Sequence, residues 1–138
     1  MTGERRKARE LTLQVLYEID LTGHASDRVM ARTIEENSLT PEGVDFAREL
    51  LEGVISKREK IDEQIRHFAT AWPLDQMSIV DRNILRLAIY ELLHNNKVPV
   101  KVAINEAVEL AKRFSTDDSG RFVNGVLSAL VPVLRPNT

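Results

Sequence analysis

The stretch DQMSIVDRNILRLAIYEL, residues 75–92, decides the fold. Met77, Val80, Ile84, Leu85, Leu87, Ala88, Ile89 and Leu92 recur at helical spacing and cover more of the helix circumference than a single stripe. A helix apolar on so many sides has to lie among other helices, so this segment is expected at the centre of the domain. Its start is marked by Trp72-Pro73, which disfavours helix at Trp72, and by Asp75, a residue able to cap the segment.

Helical patterns flank it on both sides. Upstream, Ile61, Ile65 and Phe68 continue the stripe of Ala47, Leu50, Leu51, Val54 and Ile55, with a break expected in the charged stretch Lys57 to Lys60. That stripe opens at Leu39-Thr40-Pro41, where the Thr40 hydroxyl can cap orphan amides and Pro41 fits the first helical position. A short polar helix is expected from Asp27 to Glu36, with Val29, Met30 and Ile34 as its apolar face. Before it, Ala8, Leu11, Thr12, Val15, Leu16 and Ile19 form one core-facing stripe ending near Thr22-Gly23, where glycine can take the left-handed conformation. Downstream of Asn95-Asn96 and Pro99, the inward set is Ala103, Ala107, Leu110, Ala111 and Phe114, with Glu109 and Arg113 spaced as an i,i+4 pair. The last helix follows Ser115 to Ser119, turns Val123, Val126, Leu127 and Leu130 inward, and has Pro132 near its end. The expectation is an all-α domain of about seven helices over residues 1–138, without internal repeat.

At 138 residues, 43% hydrophobic and 29% charged, the chain is sized and balanced for one soluble globular core. It has no cysteine, which removes disulfides, thiolate metal sites and cysteine nucleophiles. The basic N-terminus has no apolar segment behind it and no apolar run is long enough for a membrane span, so a cytoplasmic location is expected. The net charge of -2 conceals an asymmetry. The segment 4–9 holds Arg5, Arg6, Lys7 and Arg9 against Glu4, leaving the rest of the chain net acidic.

That segment is the first candidate for function. Arg5, Arg6 and Arg9 at i, i+1 and i+4 could aim guanidinium groups to one side and grip phosphates, or form an ordinary solvated terminus. Tyr17, two turns beyond Arg9, could stack on an unpaired base or be a half-buried core residue. A second candidate is Asp117 to Gly125, where a loop enters the last helix. Helix-start amides attract phosphate, Arg121 could assist, and Phe122 lies off the Val123 stripe; equally, Asp117, Asp118 and Ser119 are common caps and Phe122 a common core residue. Arg82, Arg86 and Tyr90 form an i, i+4, i+8 stripe beside Asp81, read either as a partner groove or as the wet side of a mostly buried helix.

Catalytic and metal motifs are lacking. His24, His67 and His94 are far apart and none lies in an H-E-x-x-H arrangement, and there is no P-loop or dinucleotide fingerprint. A non-enzymatic protein without cofactor or metal is expected.

Four stretches together resemble the NusB family: Arg5 to Tyr17, Asp81 to Leu92, Val98 to Lys112 and Phe122 to Leu127. The resemblance implies two three-helix bundles packed at a steep angle with an additional helix. It implies binding of boxA, a short single-stranded RNA element of ribosomal RNA leader transcripts, together with NusE, a small-subunit ribosomal protein, in an RNA polymerase complex that reads through terminators. On this chain the implied RNA-binding residues are Arg5, Arg6, Lys7, Arg9, Tyr17, Asp118, Arg121 and Phe122, with Lys7 standing where relatives commonly have arginine. Asp81, where relatives often carry glutamate, is implied on the partner side, and the Arg82 and Arg86 of the adjoining stripe are expected to be partner contacts with it. A homodimer covering the RNA face is an alternative assembly. Two other readings remain: a purely protein-binding helical module, and the RNA-guiding domain of a ribosomal RNA methyltransferase, which a chain stopping at Thr138 does not favour.

Overall fold

The computed structural model describes residues 3–69, 73–94 and 98–136. Seven α-helices run through them: α1 (Gly3–Thr22), α2 (Ser26–Glu36), α3 (Pro41–Ser56), α4 (Arg58–Phe68), α5 (Ile79–His94), α6 (Val100–Phe114) and α7 (Asp117–Leu134). A single 3-10 turn, Leu74–Gln76, precedes α5, and no strand occurs among the described residues. Trp72 and the Asn95-Asn96 turn, both read from sequence as breaks, lie outside the described residues.

The boundaries follow local chemistry. Gly23, at φ 75°, ends α1 in the left-handed region, which costs glycine little because it has no Cβ. The Thr40 hydroxyl accepts from the Gly43 amide (3.1 Å) with Pro41 in the first turn, as the capping pattern predicts. Lys57 breaks α3 from α4. Two expectations are corrected. The cap of α5 is Ser78, whose hydroxyl accepts from the Asp81 amide (3.0 Å), because Asp75 is taken up in the 3-10 turn. The cap of α7 is Thr116, accepting from the Ser119 amide (3.0 Å), so Asp117 and Asp118 occupy its first turn.

Two three-helix groups result. In one, α1 packs on α2 and α3; in the other, α5, α6 and α7 pack mutually, and α4 joins α5 and α7. The groups meet where α1 and α3 lie on α5. Ile84, Leu85 and Ile89 of α5 are fully buried in one continuous core that includes Val15, Ala47, Ile61, Ala111 and Leu127, which makes α5 the central helix. Gly53 of α3 lets this happen: a Cβ there would fall 2.1 Å from the Tyr90 ring, so only glycine lets the ring approach α3 this closely. Ile55, expected inward, is 41% exposed at the last turn of α3.

Candidate nucleic-acid interface

The basic segment does not present its cations to one side. An α-helix turns about 100° per residue, so Arg5, Arg6, Lys7 and Arg9 meet different neighbours. Arg9 is 2% exposed and lies between the helix groups, where Nε and Nη2 donate to the two Glu91 carboxylate oxygens (2.7 Å each) and Nη1 stands 3.6 Å from Glu106. A phosphate cannot reach it; the expectation that Arg9 grips RNA is corrected, because α5 and α6 bring two carboxylates onto its face. Arg6 faces α6 and donates to Glu106 through Nε (3.2 Å) and Nη2 (2.7 Å). The hydrogen bond from Arg6 holds the Glu106 carboxyl below its usual range. Arg5 is exposed and lays its guanidinium 4.3 Å from the centre of the Phe46 ring.

Lys7 points elsewhere, into a hollow of about 800 Å³. Its wall includes Gln14 and Tyr17 of α1, Leu39 of the α2–α3 loop, Val80 of α5, and Arg113 and Phe114 of α6. Tyr17 is 40% and Phe114 45% exposed, so two aromatic side chains and two cations share one open concavity. Arg113 donates to Glu10 (2.7 Å), not to Glu109 as the i,i+4 spacing suggested, and its guanidinium lies 5.4 Å from the Phe114 ring. Phe114 was missed as a site residue because it falls on the inward stripe of α6. It occupies the final turn, where the helix has run past the core. The available signal was its place between Lys112-Arg113 and the polar stretch Ser115 to Ser119.

The start of α7 divides differently from the expectation. Phe122 is partly buried and packs against the core, which corrects the reading of its ring as open for stacking. Asp118 and Arg121 form an ion pair with each other in full exposure and do not line the hollow. Asp81 bridges to this helix start: its Oδ2 accepts from the Ser119 hydroxyl (3.0 Å), while Oδ1 is buried with no hydrogen-bond partner.

The Arg82 and Arg86 side chains of the stripe are committed to carboxylates within the fold, and both line a hollow of about 490 Å³ with Arg58, Asp62 and Arg66. Arg86, 3% exposed, donates to both oxygens of Asp62 (2.8 and 3.0 Å) and to Asp20 (2.9 Å). Arg82 donates twice to Asp20 (2.8 and 2.6 Å), and the Asn83 amide adds a third donor (2.9 Å). Burial pushes the Asp20 carboxyl up, but Arg82, Asn83 and the Arg86 charge outweigh it and hold the group at about 2. These arginines tie α1 and α4 to α5, and the burial of Arg86 corrects its reading as a partner contact.

The chain matches the sequence profile of the NusB family over residues 6–132. It is 55% identical to the transcription antitermination protein NusB of Dehalococcoides mccartyi (strain CBDB1), over 97% of this chain and 94% of that one. Among solved structures, the NusB of T. maritima superposes with a TM-score of 0.88 at 33% identity, covering 95% of this chain and 92% of that one. A crystal structure of the antitermination factors NusB and NusE in complex with dsRNA contains a chain that superposes at 0.86 with 31% identity, over 96% and 99% of the two chains.

Proposed function

The chain belongs to the NusB family, and from that premise we propose that it is a transcription antitermination factor. It binds boxA-type single-stranded RNA of ribosomal RNA leader transcripts together with NusE, in the cytoplasm, and promotes read-through by RNA polymerase. The observation that carries this reading is the hollow in which Lys7 and Arg113 stand beside the exposed rings of Tyr17 and Phe114. Unpaired bases can stack on the rings while the cations meet the flanking phosphates, which gives base choice and salt-dependent affinity from one surface. Arg5 is exposed on the Phe46 side of α1 and lies outside the lining of the hollow. The protein acts by binding alone, and no bond is made or broken.

A surface with so few cations binds RNA modestly, so a second protein that contacts both RNA and this chain raises the apparent affinity. Asp81 is the proposed contact for NusE. It reaches the start of α7 through the Ser119 hydroxyl, where the exposed Asp118 and Arg121 offer a partner charges of both signs. A homodimer that covers the hollow would compete with RNA, and sedimentation with and without RNA separates the two states.

The test is binding of a boxA-type single strand, a scrambled single strand and a duplex, with and without NusE, at two salt concentrations. The expected result is preference for the boxA strand, affinity falling steeply with salt, and tighter binding with NusE. Equal binding of all three RNAs contradicts the reading, and binding indifferent to salt favours a purely protein-binding module.

A further inference from the structure

Arg6 and Glu106 are unequal partners. The Arg6 side chain is 55% exposed, whereas that of Glu106 is 9% exposed and has Arg9 3.6 Å away on its other side. The carboxylate is therefore fixed in the seam between α1 and α6, and the arginine is the member that can leave. Departure of Arg6 strands no buried charge, because Glu106 keeps Arg9, and Arg9 keeps both hydrogen bonds to Glu91. Carboxylate and phosphate bind guanidinium with the same forked geometry, so Glu106 occupies the donors that a phosphate would use. Arg6 is also the immediate neighbour of Lys7, whose side chain already enters the aromatic hollow. Glu109 and Glu10 stand along the same seam and add to the negative field around Arg6.

We infer that Glu106 limits RNA affinity by withholding Arg6: the carboxylate keeps a phosphate-competent arginine docked on α6 in the RNA complex. The basic segment thereby offers RNA fewer cations than it contains. This rests on the proposed RNA-binding function and names a residue that tunes it from outside the hollow.

The experiment measures affinity of the full chain for the boxA-type single strand across a salt series, for wild type, Glu106→Gln, Arg6→Ala and the double variant. Glu106→Gln removes the charge with little change of shape. Its affinity should rise roughly two- to fivefold, the range of a partly exposed ion pair, and the slope of log affinity against log salt should steepen by about 0.7, one phosphate contact on a single strand. Arg6→Ala alone should leave the wild-type slope in place, and the double variant should return to it. A Glu106→Gln slope equal to or shallower than wild type overturns the inference. So does a loss of slope in Arg6→Ala, which stays informative even if Glu106→Gln fails to fold. Wild type that binds RNA without salt dependence, or not at all, overturns the functional reading itself, whereas wild-type salt dependence with an unmoved Glu106→Gln overturns only the role of Glu106.

Discussion

Lys7 and Arg9 stand two residues apart on α1 and point about 200° apart around it. Arg9 meets Glu91 and Glu106 in the dry seam between the helix groups, while Lys7 is exposed and lines the hollow that also holds Tyr17 and Phe114. The same type of charge thus does two kinds of work on one helix. A buried guanidinium with fixed carboxylates holds bundles in register, because removing one partner strands the other in a medium that solvates it poorly. An exposed ammonium at the wall of an aromatic hollow has no such commitment and remains available to a ligand. The far end of α1 repeats the first arrangement, with Asp20 receiving Arg82, Arg86 and Asn83. Helix α1 is clamped to α5 at two heights and open along the face between Lys7 and Tyr17.

Replacing Arg9 by alanine breaks the contrast most severely. It leaves Glu91 buried without its counter-ion and should cost about 3–5 kcal/mol of folding stability, read as a lower melting temperature or denaturant midpoint. The equivalent Lys7→Ala change should move stability by no more than about 0.5 kcal/mol, as an exposed site does. Next in size, Tyr17→Ala and Phe114→Ala should each weaken RNA binding by about 1–3 kcal/mol, the range for one stacked base, while thermal stability stays close to wild type. A melting temperature that falls together with affinity would make these rings core residues. Smallest at neutral pH, where it is absent, is the effect of acid on the far clamp. Asp20 titrates at about 2 in the fold against an ordinary 3.8. Its depressed value means that its stabilisation is complete above the ordinary value and is lost as pH falls through that interval toward 2. Asp20→Asn should flatten the acid limb of a stability–pH profile in this interval, and an unchanged limb would show that Asp20 does not hold the clamp.

What could be read from sequence was whatever local chemistry decides. Thr40-Pro41 and Gly23 marked helix ends because caps and left-handed glycines act within a few residues, and the apolar density of residues 77–92 marked α5 as central. What could not be read was the identity of partners across the fold. Arg9 finds Glu91 82 residues away, and Arg82 finds Asp20 across 62, distances over which periodicity says nothing. For that reason Arg9 looked like a phosphate ligand, the Arg82–Arg86 stripe looked like a surface, and Arg113 looked committed to Glu109 when Glu10 holds it. Phe114 failed differently. Its spacing placed it on the inward stripe, but a stripe is buried only as far as a neighbouring helix covers it.

The most direct test of the two-faced helix is an NMR titration of the labelled full chain with the boxA-type single strand. The resonances of Lys7, Gln14, Tyr17, Arg113 and Phe114 should shift in proportion to bound RNA, with Arg9, Glu91, Arg82 and Arg86 unmoved. Shifts centred on the buried arginines, with Tyr17 and Phe114 silent, would contradict it.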